Sequence, residues 1–334
     1  MRAHTAVMAA GILAAANATP LHAQSEQEVI LADPAFSMTF AAGYIATDLG
    51  LWQKHGIKVK TVPIAGVGSI NSVISGSSQF AQASASTFGR ASARGQKLVA
   101  IAVTINKPFA QLIVRKDIAM AAGFDPKAPI EKRAALIKGH TFAVDSINSM
   151  IHGYLRLLAA RGGMKPDDVR VAPMAPASML AAFQSKQIDG FAMSLPWPLK
   201  PVQDGEAVLV DSGPDGDPGD VIPFGHNMIV AKRETCEQKK ALCMAMGQSI
   251  KDAVAFIQDN PDEALALLKK RFPTLDDKVL KAGFEELRKV TPSPPVVTKA
   301  DIENSEIFNV DAGLLKPDER LTNFDGMFTD EYVK

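Results

Sequence analysis

Between residues 65 and 87 the chain reads AGVGSINSVISGSSQFAQASAST, rich in hydroxyls and small residues and free of any charged side chain, histidine or cysteine. Gly66 and Gly68 precede Ser69, which opens a predicted helix at the end of a strand, and Ser84-Ala85-Ser86-Thr87 repeats that arrangement after the next strand. Each junction offers unpaired backbone N–H groups of a helix first turn, hydroxyls, and little side-chain bulk, a setting that suits a carboxylate, a sulfonate or another oxygen-rich group. The same junction recurs at Asp145-Ser146-Ile147-Asn148-Ser149, at Ala175-Pro176-Ala177-Ser178 and at Ser194-Leu195-Pro196-Trp197. Two facing sets of helix N-termini make a cleft. For any single serine the plainer role is a helix cap; the clustering in both halves of the chain favours the cleft.

Other chemistries find less support. GVGS lacks the Lys-Ser/Thr of a phosphate loop, and GVGSIN lacks the third glycine of a dinucleotide fingerprint, so nucleotide cofactors are not expected. His55, His140, His152 and His226 are scattered without a helical pair or Cys/His spacing, and no metal site is expected. His226, beside Asn227 on a returning strand, either faces the cleft or is an internally satisfied histidine. Ser194 has no glycine elbow and no His or Asp placed by sequence to activate it, so no nucleophile is assigned and the chain reads as a non-enzyme. Trp197, between Pro196 and Pro198, is a candidate stacking wall, with packing as the alternative; Trp52 reads as core.

The elements that must position these residues follow an α/β rhythm. EVILADPAF is a strand, GYIATDLGLWQKHG an amphipathic helix stopped by Gly56, IKVKTVPI an alternating strand, SINSVISG a helix, QFAQAS a strand, STFGRASARG a helix and LVAIAVT a buried strand. QLIVRKDI is a further strand, after which the pattern restarts with IEKRAALIKG, HTFAVDS, SMIHGYLRLLAARGG, DVRVAPM, ASMLAAFQSKQ and IDGFAMS. Residues 211–220 form a turn-rich loop, and VIPFGHNMIVAKRE returns as a long strand. The remainder is helical. Asn260-Pro261-Asp262-Glu263 carries the signature of a capped helix start closed by Glu263, and Thr298 with Asp301 carries another.

At 334 residues the chain suits about two domains, and its 36 basic residues balance 36 acidic ones. That balance speaks against nucleic acid or an anionic membrane as partner. Residues 1–23 run from Arg2 through an alanine-rich apolar stretch to Pro20 and Ala23, the order of a secretory signal cleaved after Ala23. An exported, periplasmic protein is expected, and with no cysteine at the cleavage point it is not a lipoprotein. The two cysteines, Cys236 and Cys243, read as a disulfide in an oxidising compartment, with a pair of reduced small hydrophobes as the alternative. Seven residues of one straight helix would separate them by about 10 Å, beyond disulfide reach, so Cys236 is placed before the helix start.

The run LGLWQKHGIKVKTVPIAGVGSINSVISGSSQFAQASAST, together with IKGHTFAVDS and GGMKPDDVRV later in the chain, resembles the bacterial periplasmic solute-binding proteins of ABC importers that include nitrate, sulfonate, taurine and thiamine-pyrimidine binders. The resemblance covers essentially the chain from Val29 to the C-terminal helices. It implies an α/β, two-lobed periplasmic binding protein fold of the two-crossover type, each lobe a mixed sheet flanked by helices. The crossings are expected near 111–115 and 225–230, with lobe one at 24–112 plus 228–334 and lobe two at 113–227. It implies further that lobe closure traps a small-molecule solute and that the closed monomer delivers it to a membrane permease and its ATPase. The ligand shell implied on this sequence is Phe36, Ser37, Met38, Gly68, Ser69, Ser84, Ala85, Ser86, Ser146, Asn148, Ser149 and Trp197, with His226 added from its position.

This chain departs from a simple anion site in having no Arg or Lys inside the Gly/Ser loops, so an anion would rest on helix termini and hydroxyls, with Arg90 the cation in reach. Phe36 and Met38 leave room for an apolar body, and a small sulfonate- or carboxylate-like acid is expected before nitrate. Two other classes share the fold. A thiamine-pyrimidine synthase-like enzyme would need a cysteine-rich segment that this chain lacks, and a ligand-presenting sensor for a membrane receptor is not separable from an importer component by sequence.

Overall fold

A computed structural model describes residues 27–165 and 168–334. The leader read at residues 1–23 lies outside the described residues. In chain order come β1 (Gln27–Asp33), α1 (Ala41–Asp48), α2 (Leu51–Lys54), β2 (Ile57–Pro63), α3 (Gly68–Ser75), β3 (Phe80–Ala83), α4 (Ala85–Ala93) and β4 (Leu98–Ile105). β4 is buried along its whole length, which is why LVAIAVTI reads as an unbroken apolar run while the half-exposed β2 alternates. The chain crosses through residues 106–109 to β5 (Ala110–Arg115), α5 (Lys116–Ala121), α6 (Ile130–Ala134), β6 (Thr141–Val144), α7 (Met150–Arg161), β7 (Arg170–Pro173), α8 (Pro176–Gln184), β8 (Gly190–Ser194), α9 (Leu199–Gln203) and β9 (Ala207–Ser212). It returns through residues 213–226 to β10 (Asn227–Lys232) and ends in α10 (Arg233–Gln238), α11 (Lys240–Asp259), α12 (Pro261–Arg271), α13 (Asp277–Val290) and α14 (Lys299–Asp311).

The strands build two five-stranded mixed sheets, ordered β2-β1-β3-β10-β4 and β7-β6-β8-β5-β9. In the first, β1 runs parallel to β2 and β3 while β10 runs antiparallel to β3 and β4. In the second, β6 runs parallel to β7 and β8 while β5 runs antiparallel to β8 and β9. The two sheets therefore repeat one topology, as the restart of the pattern implies, with β1 matching β6 and β3 matching β8. One apolar cluster includes Leu31, Trp52, Ile101, Met246 and Val254 and continues to Phe191 and Met193 of the second sheet. Phe142, Tyr154, Leu158 and Phe224 form the second sheet's own core, and Val73, Phe88, Val103 and Ile302 fill the space behind α3 and α4. α13 packs against residues 38–40 and α9, and α14 packs against α4 and α7, so both touch elements of each half.

Several expectations change in detail. The helix read across 43–56 is two helices, because Gly50 turns the chain in the left-handed region (φ 65). Residues 110–112, assigned above to the first lobe, open β5 of the second sheet. The loop read at 211–220 begins inside β9, since Asp211 and Ser212 pair with Leu112 and Gln111, and the long returning strand shortens to β10. Asn260 does not cap α12: its N–H closes α11 on Phe256 O at 2.9 Å, and its ψ of 59° departs from the extended backbone from which a cap side chain reaches forward. Thr298 and Asp301 do form a reciprocal capping box. Cys236 and Cys243 are bonded, with Cα atoms 5.5 Å apart. Cys236 does precede α11, the helix that holds Cys243, but it lies inside a short helix of its own, α10, and the break at Lys239 (φ −126, ψ 55) brings the sulfurs together.

Candidate functional site

The carboxyl ends of β1, β2 and β3 meet the amino end of β10 on one edge, and the corresponding ends of β6 and β8 face them. Between these edges lies a cavity of about 50 Å3 whose walls come from both sheets. Ser37, Thr39, Gly66, Ser69, Ser84, Thr87 and Asn227 line it from the first half, and Asp145, Ser149, Met150, Ile151, Met193 and Ser194 from the second. His226 lines it from the crossing segment. In open α/β sheets this edge is where ligands sit.

Three of the predicted serines serve as helix caps and cavity wall at once. Ser37 Oγ accepts from Thr39 N at 3.2 Å, Ser84 Oγ from Thr87 N at 3.2 Å, and Ser149 Oγ from His152 N at 3.0 Å. Each cap satisfies one first-turn donor; others, such as those of Met150 and Ile151 at the start of α7, have no carbonyl within the helix to meet. Ser69 Oγ turns back to Gly66 O at 3.0 Å and Gln82 O at 3.3 Å, holding α3 to the end of β3.

The remaining predicted residues stand outside the cavity, for reasons of geometry. Ser37 has extended backbone (φ −159, ψ 170), so Phe36 and Met38 point away from the side it faces. Phe36 is 40% exposed and stacks on Phe272 with centroids 4.5 Å apart, while Met38 is fully buried. In α4, Ser84 and Thr87 share a face, and Ser86, two residues on from the cap, points to the opposite one. There its hydroxyl donates to Asn309 Oδ1 at 2.5 Å, tying α4 to α14. Ala85 packs by its N–H on Gly225 O at 2.7 Å, and a Cβ on Gly68 would face Ile64. Ser146 abuts Gly66, Asn148 adopts φ 62, and Trp197 donates its indole N–H to Phe36 O at 2.7 Å, so none of these three reaches the cavity. Arg90, expected to reach in as the cation, is spent elsewhere: its guanidinium donates to Asn148 O at 2.6 Å and Ser86 O at 3.2 Å. Burial lowers its pKa to about 10, with Arg94 adding to the effect.

Contacts outside the cavity also join the two halves. Trp197 to Phe36 and Met38 N to Leu195 O at 3.0 Å each join a loop of one half to a loop of the other, and Arg90 joins α4 to Asn148. Gly66 approaches Ser146 so closely that a Cβ would fall 1.8 Å from Ser146 Oγ.

His226 and Ser194 meet by their side chains on the cavity wall, Oγ to Nε2 at 3.2 Å. The backbone N–H of Phe109 donates to His226 Nδ1 at 3.1 Å, which leaves the proton of the neutral ring on Nε2, facing Ser194. Burial pushes the ring's pKa down to about 3, so the neutral form holds at pH 7. With its lone pair committed to Phe109, the ring donates to Ser194 and does not act as a base toward it. The described residues hold no group of three or more His, Cys, Asp or Glu that could bind a metal, and no helix long and apolar enough to cross a membrane.

Among the lining residues left out of the expected ligand shell, three carry polar groups of note. Asp145 lines the cavity and accepts from Ser149 Oγ at 2.5 Å and Ser146 N at 2.8 Å, and burial raises its pKa to about 6 against the pull of these bonds. Thr39 and Asn227 are 4% and 1% exposed, and Thr39 Oγ1 and Asn227 Oδ1 are buried without a protein partner. A shared signal was present, for Asp33-x-x-x-Ser37 and Asp145-x-x-x-Ser149 stand at the ends of the matching strands β1 and β6. Asp33 itself lies beneath the site, buried, with its pKa raised to about 7 by desolvation against the pull of Gln82 and Arg271.

Residues 37–264 match the family described as NMT1/THI5 like. The chain belongs to this family. A protein of Brucella abortus (strain 2308), provisionally named a binding protein, is 27% identical over 246 residues, covering 72% of this chain and 69% of its own. Among solved structures, a Bordetella bronchiseptica RB50 protein superposes with a TM-score of 0.78 at 19% identity, over 92% of this chain and 96% of that one. The alkanesulfonate-binding protein SsuA of Xanthomonas axonopodis pv. citri, bound to MOPS, superposes with a TM-score of 0.68 at 17% identity, over 88% of this NMT1/THI5-like chain and 96% of its own. These likenesses establish the periplasmic binding protein fold.

Proposed function

We propose that this protein is the solute-binding component of an ABC-type importer, which captures a small organic solute between its lobes and delivers it to a membrane permease with its ATPase. The observation that carries the reading is the cavity at the facing strand ends, walled by both sheets and lined by hydroxyls, helix first turns and unpartnered polar atoms. A site divided between two halves releases its solute when they part and traps it when they close. The family and the binding proteins it resembles support the same role. The lobe boundaries belong in the two crossings, 106–109 and 213–226, so that β5 stays whole in the second lobe and β10 in the first. The exported leader at residues 1–23, a periplasmic location without a lipid anchor, and a monomeric state complete the proposal.

The solute class proposed is a small organic acid, sulfonate- or carboxylate-like. Its oxygens would meet the hydroxyls of Ser37 and Ser84 and the free N–H groups in the first turn of α7, where the helix dipole favours negative charge. The test is a thermal-shift screen of the purified protein against sulfonates, aliphatic and aromatic carboxylates, nitrate and pyrimidines. A solute present at a hundredfold excess over its Kd raises stability by about 2.7 kcal/mol. A shift confined to one class is expected; a folded, ligand-free protein that no small solute stabilises would overturn the proposal.

A further inference from the structure

A second cavity, a groove of about 380 Å3, lies beside α3 and α4 and shares only Thr87 with the cleft. Its chemistry is the reverse of the cleft's. Asp145 and no Lys or Arg line the cleft, whereas Arg90 and Arg94 line the groove and none of the described residues beside them there is acidic. Arg90 is on α4 and Arg94 at its C-terminal cap, four residues on, so the two stand one above the other and repel. The bonds that Arg90 makes leave its charge unanswered. Nε and Nη2 donate to the neutral carbonyls of Ser86 at 3.2 Å and Asn148 at 2.6 Å, and Nη1 has no partner among the described residues. Glu306 acts on Arg90 from behind, but it is fully buried under Gly89, with its oxygens accepting from Leu321 N at 3.0 Å and Asn309 Nδ2 at 3.4 Å. Arg94 is exposed and has no ion pair among the described residues.

We infer that this groove is a second binding site, for a small phosphate monoester held by Arg90 Nη1, the Arg94 fork and the Asn148 amide. Guanidinium forks match the oxygens of such a group, and its charge of about −1.5 to −2 at pH 7 balances the two cations. Ile70, Ile74 and Leu314 give the rest of the groove an apolar lining, which suits an organic body on the phosphate better than a free ion. Arg90 belongs to the first half and Asn148 to the second, so a ligand held by both favours the arrangement in which the halves meet. Phosphate ester and cleft solute then raise each other's affinity by one factor. The coupling rests on the solute-binding reading; the site itself does not.

The experiment is titration calorimetry at constant ionic strength with phenyl phosphate, inorganic phosphate and benzenesulfonate. Phenyl phosphate is expected to bind tightest. Arg94→Gln, at a residue that lines no part of the cleft, should weaken it on the order of tenfold. Asn148→Gly, which suits the left-handed backbone there (φ 62), should also weaken it. Phenyl phosphate that fails to bind folded wild-type protein, or that binds Arg94→Gln as tightly as wild type, would overturn the inference. Benzenesulfonate binding as tightly as phenyl phosphate would overturn the choice of a dianion. Saturating phenyl phosphate should tighten the stabilising solute about fivefold or more in wild type and not in Arg94→Gln; an unchanged solute affinity would overturn the coupling. A protein that binds phenyl phosphate through Arg94 and no solute in the cleft would overturn the importer reading and leave this site standing.

Discussion

Replacing Gly66 with Ala probes how closely the two halves must meet when solute is held. Gly66 turns the chain between β2 and α3 at φ 55, and its N–H donates to Pro34 O at 2.9 Å. The substitution has two separable effects. An alanine in the left-handed region costs about 1–2 kcal/mol, and it does so whether the lobes are open or closed, so this part falls on the stability of the folded protein. The second effect needs the lobes together: the new Cβ would lie 1.8 Å from Ser146 Oγ and 2.9 Å from Ser146 Cβ. Rotating the hydroxyl relieves the first contact but not the second, and ordinary contact begins near 3.4 Å, so the loops must part by about 0.5 Å. Overpacking of this kind costs about 1–3 kcal/mol, which lowers solute affinity roughly 5- to 150-fold. Calorimetry with the stabilising solute measures the second effect, and denaturant unfolding of the solute-free protein measures the first. Ser146→Gly in the Gly66→Ala background should restore affinity without restoring stability. A Gly66→Ala protein that binds as tightly as wild type would refute the idea that these loops meet around the bound solute.

Four further outcomes are expected. Ser86→Ala, which removes the hydroxyl bond to Asn309 and nothing from the cavity, should lower stability by about 1 kcal/mol and leave affinity unchanged, by denaturant unfolding and calorimetry. Reducing Cys236–Cys243, a loop closed over a sequence separation of seven, should cost about 2–3 kcal/mol of stability, read from unfolding with and without reductant. His226 has a folded pKa of about 3 against an ordinary value of 6.5, so it binds a proton more readily when unfolded; the stability it contributes is present above pH 6.5 and is lost as pH falls towards 3. His226→Gln should therefore flatten the acid limb of a stability–pH curve. Asp33, raised to about 7, has the opposite sign, its ionisation disfavouring the fold as pH rises from 3.8 through 7; Asp33→Asn, which keeps an acceptor for Gln82, should raise stability at pH 8 relative to wild type, and lower stability there by denaturant unfolding would refute the sign.

The alternation of β2, the buried run of β4, the Thr298–Asp301 box and the repeat of the βα pattern were legible because each is set by near neighbours in sequence. β9 was not, since AVLVDS is defined by its pairing with β5, nearly a hundred residues earlier, and it runs into glycine- and proline-rich sequence that reads as loop. At the site, which junctions converge was legible, but which side chains face inward was not. Ser84 and Ser86 look equivalent in the sequence and point to opposite sides of one helix; Ser37 separates Phe36 from Met38 by the pleat of an extended backbone. Asn227 carries no local motif at all. Its role comes from Gln82 and Thr104, residues on two other strands, and only the assembled sheet brings the three together.

Asp33 and Asp145 show how the repeated topology serves the site. Each ends a corresponding strand, each is followed four residues later by a serine that caps a helix, and burial raises the pKa of each. Desolvated carboxylates destabilise a fold unless other groups take up their oxygens. Gln82 does so for Asp33, and Ser146 and Ser149 do so for Asp145. The two then diverge. Asp33 lies one amide pair away from the cavity and fixes the direction of Asn227; Asp145 lies in the wall itself. A topology used twice thus places one acid behind the site, where it orients Gln82, and one in the wall, where it holds Ser146 and Ser149.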